Sequence, residues 1–264
     1  MKEIKTPGGY IITKPIDIIL TTCNRIDNSR ETINQLYKRL KTPFRLIVID
    51  DDSVDGTKEY LKEEVEAGRV HVLNTEGNMN ISQAYNKGFL YVESDYFICM
   101  QDDITPPDLD VCVIYQLIDL MEKYPDHGGI GCRIQRIPNI SWNGEEEELV
   151  LARKALSAYF RIQKKSDMDQ IEDKPFGNKT WDDIAFVSVM RKRLIKECSW
   201  SKKLWADHSR GYCHDRGYNV VPRKWGWEEG AVGSHKRNQA IQHKPYPKID
   251  PKTNIPLPGE KIYR

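Results

Sequence analysis

Three short apolar runs in the first 103 residues end in polar or acidic clusters, and stretches of helical period separate them. Ile16–Thr22 (IDIILTT) passes into Cys23, Asn24 and Arg25. Phe44–Asp52 (FRLIVIDDD) ends in three consecutive acids, and Tyr96–Met100 (YFICM) runs into Gln101, Asp102 and Asp103 before Pro106 and Pro107. Arg69–Asn74 adds a fourth, shorter run. Between them, Ser29–Leu40 places Ile33, Leu36, Tyr37 and Leu40 on one helical face, with Ser29 in position to cap it. Thr57–Gly68, closed by a glycine, and Asn80–Val92 also read as helices. Strand and helix alternating in this way predict an α/β fold: a mostly parallel sheet with helices on both faces.

That topology gives the acidic ends a place. Ligands of open α/β sheets bind outside the carboxyl ends of the strands, so the three polar clusters are expected along one rim. Carboxylates crowded on a rim are costly unless a cation or hydrogen-bond donors sit among them. Asp102 and Asp103 are adjacent, so a strict strand would point them to opposite faces, whereas a strand end that turns lets at least one aim into the crevice. Hard oxygen ligands of this kind suit Mg²⁺ or Mn²⁺ with substrate phosphate completing the shell; an exposed Asp/Pro turn is the plainer alternative. Val48–Thr57 (VIDDDSVDGT) likewise admits two readings. Asp55 or Thr57 can cap the following helix, or the acids can accept hydrogen bonds from a nucleobase and a ribose.

Composition narrows the class. The 264 residues are 39% hydrophobic and 30% charged, an ordinary globular balance, and suffice for one large α/β domain or two small ones. No apolar run approaches the roughly 20 residues of a membrane span, and the first fifteen residues lack a signal-peptide core, so a cytoplasmic protein is expected. Cys23, Cys99, Cys112, Cys132, Cys198 and Cys213 are scattered without a CxxC pair, which favours free thiols over a disulfide framework or zinc site. The net charge of +1 is unevenly spread. Residues 191–264 hold 17 Lys and Arg against 7 Asp and Glu, leaving −9 on residues 1–190. A basic quarter of this kind is either a solvated surface or one that meets a diphosphate, a nucleic acid or a membrane face.

The second half is less regular. Leu109–Tyr124 reads as a helix and Gly128–Arg136 as a strand. A helix is expected within residues 148–165 (ELVLARKALSAYFRIQKK), and a strand at Ile184–Met190 (IAFVSVM) with a basic helix after it. Residues 204–221 (LWADHSRGYCHDRGYNVV) read as a helix followed by a short strand. From Pro222 onward the chain is rich in Trp, Lys, Arg and Pro, as in a lid or tail.

Four segments in order, DIILTTCNR, VIDDDSVDGT, NISQAYNKG and CMQDDITPPD, resemble the nucleotide-sugar domain of family 2 glycosyltransferases with the GT-A fold. The likeness is close over roughly residues 15–110 and looser to about residue 240. It implies a nucleotide-sugar-binding half at 1–110 merged with a smaller acceptor-binding and catalytic half at 111–240, then a tail at 241–264. By the resemblance, Thr21, Thr22, Asn24 and Arg25 line the nucleotide pocket, Asp51 holds the base with Asp50 nearby, and the helix of Asn86 and Gly88 packs under the diphosphate. Asp103 takes the metal-ligand position of the family's Asp-x-Asp motif and Asp102 its middle position, near ribose and metal. Gln101 replaces the first Asp of that motif, and Asp52 stands where the family has Gly.

Downstream, Ala206-Asp207 falls where the family has Glu-Asp at a helix start. This makes Asp207 the expected general base, with Asp215 and Asp182-Asp183 as alternatives. An acceptor hydroxyl needs its proton removed as it attacks the anomeric carbon. The resemblance also suggests His235 as a metal ligand. Lys236 and Arg237 beside it are placed to neutralise the diphosphate, and Trp227 to stack on the sugar or close over the donor.

The implied activity is a Mn²⁺- or Mg²⁺-dependent inverting transfer from a nucleoside-diphosphate sugar, UDP by default, to a hydroxyl acceptor, a glycan or glycan precursor. The basic tail admits a hydroxylated base in DNA as acceptor instead. Gln101 and Ala206 admit an inactive nucleotide-sugar-binding protein. A nucleotidyltransferase would want a glycine-rich basic loop after the first strand, which TTCNRIDNSR lacks.

Overall fold

The structure, a computed structural model, describes residues 3–75, 77, 79, 81–133, 148–152, 155, 156, 158–171, 176 and 182–206, with two short strands at 249–250 and 255–256. A small antiparallel hairpin, β1 (Ile4–Lys5) and β2 (Ile11–Ile12), precedes the main sheet. Then follow β3 (Ile16–Thr22), α1 (Ile26–Arg39), β4 (Phe44–Asp50), α2 (Thr57–Glu66), β5 (His71–Asn74), α3 (Ile81–Phe89) and β6 (Tyr96–Gln101). The remainder comprises α4 (Val113–Lys123), β7 (His127–Arg133), β8 (Leu149–Leu151), β9 (Arg161–Lys164), α5 (Lys165–Met168), α6 (Asp182–Val189) and β10 (Glu197–Trp205). A π-helical turn, Met190–Leu194, joins α6 to β10. The last pair, β11 (Ile249–Asp250) and β12 (Ile255–Pro256), is antiparallel.

Eight strands form one sheet in the order β5-β4-β3-β6-β9-β7-β10-β8. The first four are mutually parallel, as the alternation predicts. β9 inserts antiparallel between β6 and β7, and β10 pairs parallel with β7 and antiparallel with β8. Two apolar layers cover the two faces. Ile18, Leu20, Leu46 and Val48 pack with Ile33 and Leu36 of α1, Leu61 of α2 and Leu117 of α4. Ile19, Ile47 and Ile49 pack on the other face with Ala84 and Tyr85 of α3, near Phe176 and Phe186. Alternate residues of β3 thus serve opposite cores, which is why its seven residues are all buried.

Chain direction reverses beside β3. The chain steps outward from β3 to β4 and β5, then returns over the opposite face through α3 to β6 on the other side of β3. Gly88 permits that return, because a Cβ there would lie 2.6 Å from Cγ2 of Ile19. The crevice between the carboxyl ends of β3 and β6 is therefore the topological switch point, the place where such sheets bind ligands.

Several expectations are corrected. Helix α1 begins at Ile26 with Arg25 as its cap residue, so Ser29 lies inside the first turns and does not cap it. The segment expected as a helix within 148–165 instead supplies β8 and β9. Ile184–Met190 is not a strand: it lies in α6 and the start of the π turn. Leu204 and Trp205 end β10 rather than begin a helix. Among the described residues no helix is long and apolar enough to cross a membrane, and the described cysteines Cys23, Cys99, Cys112, Cys132 and Cys198 are free thiols.

Candidate active site

The rim is assembled from three loops that follow β3, β4 and β6. Asn24, at φ 52°, holds the first two together. Its backbone N–H donates to Oγ of Ser53 at 2.8 Å, and its Oδ1 accepts the N–H of Val54 at 2.7 Å. Asp55 continues the clasp: Oδ2 accepts the N–H of Ile26 at 3.1 Å, while Oδ1 accepts the N–H of Thr57 at 3.1 Å and its hydroxyl at 2.5 Å. Asp55 thus steadies the start of α2, as the capping reading expects, while Asp50 and Asp51 lie at the end of β4. Gly56, at φ 92°, caps α2 in a left-handed conformation that suits glycine.

Asp50 is fully buried, opposite Thr22 in the sheet register. Its Oδ1 accepts the N–H of Ser53 at 3.3 Å, and burial raises its pKa above the usual carboxylate range. Among the described residues, Oδ2 of Asp50 finds no hydrogen-bond partner. Asp51 Oδ1 accepts the hydroxyl of Thr75 at 3.0 Å and the N–H of Met79 at 2.7 Å, drawing the loop after β5 onto the same rim.

The acids after β6 meet at one cation. The strand ends at Gln101, which pairs with Thr21, and a turn follows. Because the backbone turns there, Asp102 and Asp103 do not diverge to opposite faces. Nη1 of Arg25 donates to Oδ1 of Asp102 at 3.0 Å and to Oδ2 of Asp103 at 2.9 Å. Both acids are buried, whereas the Arg25 side chain is 27% exposed. Oδ2 of Asp102 accepts the hydroxyl of Thr22 at 2.7 Å, and Oγ1 of Thr22 is in turn 2.7 Å from Oγ of Ser29. Thr32 donates to the backbone carbonyl of Asp102 at 2.6 Å. Burial pushes the Asp102 carboxyl up to about 6, with the Arg25 charge pulling the other way.

Thr21, Thr22, Asn24, Arg25, Asp50, Asp51, Asp102 and Asp103 thus lie at the carboxyl ends of β3, β4 and β6, where Thr22, Arg25, Asp102 and Asp103 are in direct contact. Oδ1 of Asn86 accepts the N–H of Phe176 at 3.0 Å. Asp207, Trp227, His235, Lys236 and Arg237 lie outside the described residues, as do Asp215 and the side chains of Asp182 and Asp183. Strand β10 ends at this same rim, where the N–H of Ala206 donates to the carbonyl of Arg133 at 2.9 Å. Sequence reading missed Ser29, Thr32, Ser53 and Thr75. The available signal was a hydroxyl at each of positions 29 and 32 within an amphipathic helix beside a polar strand end.

The donor set suits a hard divalent ion. Two buried carboxylates already converge on a single positive group, and oxygen is the ligand such ions select. Among the described residues no group of three His, Cys, Asp or Glu exists, so phosphate, solvent or residues outside that set would complete a shell.

The sheet, with acids and hydroxyls at the carboxyl ends of its parallel strands, has the form of a GT-A fold. The model of the family described as "Glycosyl transferase family 2" matches residues 17–198, more than half the chain, and the chain belongs to that family. The dolichol-phosphate mannosyltransferase of Pyrococcus furiosus is 28% identical over 113 residues, which are 42% of this chain and 31% of that relative. The mannosyltransferase PcManGT from Pyrobaculum calidifontis, solved with GDP-Man and Mn²⁺, superposes with a TM-score of 0.62 at 13% identity, covering 92% of this chain and 68% of the other. S. aureus TarS 1–349 in complex with UDP superposes with a TM-score of 0.53 at 15% identity, covering 75% and 62%. At these identities the structural likenesses establish the fold. This chain spans less than a third of the mannosyltransferase sequence it matches.

Proposed function

We propose that this chain transfers a sugar from a nucleoside-diphosphate sugar, UDP by preference, to a hydroxyl of a glycan or glycan precursor, inverting the anomeric centre. The observation that carries the reading is the convergence of Asp102 and Asp103 on one cationic group at the switch point of a family 2 chain. The donor's base lies against Asp51, with the Thr21–Arg25 loop and Asp50 along the nucleoside. Asp103 would hold Mn²⁺ or Mg²⁺, with Asp102 beside it and His235 as a further ligand. When bound, the ion supplies positive charge to the departing diphosphate.

The remaining work falls to the chain's own groups. Asp207, next in sequence to the rim residue Ala206, takes the acceptor proton. Attack from the face opposite the leaving group inverts the centre. Lys236 and Arg237 meet the diphosphate and Trp227 covers the sugar. Residues 1–110 form the donor half, 111–240 the acceptor and catalytic half, and 241–264 a tail. Positioning both substrates in one crevice supplies much of the acceleration.

A thermal-shift and hydrolysis panel of UDP- and GDP-sugars with and without Mn²⁺ tests this. The preferred donor should raise the melting temperature by mass action and release nucleoside diphosphate slowly without acceptor. Stabilisation without any release would favour an inactive binding protein. Salt-sensitive transfer to hydroxylated DNA would replace the glycan acceptor with a base.

A further inference from the structure

Asp102 and Asp103 are 2% and 3% exposed and adjacent in the chain. Two carboxylates so placed do not both stay ionised without a counter-charge. Arg25 supplies it through a single nitrogen, Nη1, seated between them at 3.0 and 2.9 Å. A divalent ion bound to the same oxygens would occupy the same seat. Two cations held at one buried seat repel strongly, and more so when one is divalent. They share the seat poorly unless an anion joins them.

We propose that Arg25 is an internal counter-cation: it fills the cation seat of Asp102 and Asp103 in the donor-free protein and yields it when a diphosphate arrives with its ion. The inference rests on the donor reading above and adds a competition to it. Three features make the exchange feasible. The Arg25 side chain is 27% exposed, so it borders solvent while the acids it joins lie buried. Asp102 keeps its position after Arg25 leaves, because Thr22 holds Oδ2 and Thr32 holds its backbone carbonyl. A diphosphate also offers a guanidinium paired, charge-assisted acceptors to replace the carboxylates. The consequence is thermodynamic coupling. The ion binds weakly alone and tightly with nucleotide, and by linkage the nucleotide gains the same factor from the ion.

Mn²⁺ binding, followed by the loss of free-ion electron paramagnetic resonance signal, tests this without reference to turnover. Wild type, Arg25→Gln and Arg25→Lys are titrated with Mn²⁺ alone and with UDP or GDP present. In wild type, the better diphosphate should raise Mn²⁺ affinity at least tenfold beyond what that nucleotide binds in buffer. Arg25→Gln should bind Mn²⁺ alone at least tenfold more tightly than wild type and lose most of the coupling, with Arg25→Lys close to wild type. Circular dichroism and urea titration verify the fold. If Arg25→Gln does not fold, wild type and Arg25→Lys decide through the size of the coupling. Unchanged or weaker Mn²⁺ affinity in folded Arg25→Gln, or wild-type affinity indifferent to nucleotide, overturns the competition while leaving the donor reading intact. Failure of wild type to bind Mn²⁺ with either nucleotide overturns both.

Discussion

On the flank formed by β5, β4, β3 and β6, every strand is parallel, and the strand ends carry acids tied into a web of hydroxyl and amide donors. On the flank formed by β9, β7, β10 and β8, strand directions mix, and close steric fit does the corresponding work. Gly129 of β7 admits the ring of Phe186, and Gly131 admits Trp200; a Cβ at these positions would approach within 2.7 and 3.0 Å of those rings. Arg161 of β9 is fully buried, with its guanidinium 4.0 Å from the Phe186 ring and bonded to the carbonyl of Leu156 and to Oε1 of Gln163. The first flank is organised by satisfying charge and the second by filling volume. Charge substitutions should therefore damage chemistry on the first, and volume substitutions should damage stability on the second.

The largest effect is expected at Asp103. Asp103→Ala should lower transfer about 1000-fold, because a metal ligand supports several kcal/mol of charge stabilisation at the leaving group. Arg25 keeps its bond to Asp102, so the urea midpoint should move by no more than about 1 kcal/mol equivalent. Single-turnover donor assays beside urea titrations read both quantities. Undiminished transfer would remove the metal from the mechanism. The converse substitution is Gly129→Ala. Overpacking against Phe186 should destabilise by about 1–3 kcal/mol, while Kd for the donor nucleotide stays within about twofold. A large loss of nucleotide affinity with unchanged stability would mean that the flanks are not separable in this way.

A smaller effect is expected at Thr22, which joins the rim to α1. Thr22→Val removes the hydroxyl held between Asp102 and Ser29. Losing a hydrogen bond to a buried carboxylate should destabilise by about 1–3 kcal/mol. It should also raise the Asp102 pKa further, since the Thr22 bond pulls it down. Infrared observation of the carboxyl band across pH reads that shift directly, and an unmoved band would mean that Thr22 does not support the ionised form.

The same division explains what was legible in the residues. Parallel strands buried on both faces announce themselves as unbroken apolar runs, and β3, β4 and β6 lie close to where such runs fall. Their acidic ends marked the rim, and Asp102 with Asp103 could be placed there before any geometry was known. The convergence of both acids on Arg25 was not legible, because it depends on where the chain turns after Gln101. On the other flank the signals misled. α6 carries β-branched and aromatic residues in a short, mostly apolar run, and such a run has no period to distinguish a helix from a strand. β9 is buried on both faces, yet it places the polar Arg161 and Gln163 inside beside Ile162, so it lacks the apolar run that marks such a strand. Ser29 looked like a cap because serine favours caps, yet its hydroxyl serves the rim.

The finest test of the rim concerns Asp50, whose carboxylate is fully buried and whose pKa burial raises. A raised pKa means that the folded state holds the proton more tightly than the unfolded chain. The stability this contributes is present below the ordinary value of 3.8 and is lost as pH climbs through the folded pKa. Above that range, burial opposes the ionised form of Asp50. Asp50→Asn keeps an oxygen for the N–H of Ser53 and removes the charge. It should be more stable than wild type at pH 7 by about 1 kcal/mol, and that advantage should shrink as pH falls toward 4. Urea titrations at pH 7 and 4.5 measure the difference. An advantage that grows on acidification would mean that the fold stabilises the carboxylate. A stabilised Asp50→Asn with weakened donor binding would instead identify a charge kept at the rim for its ligand and opposed by the fold around it.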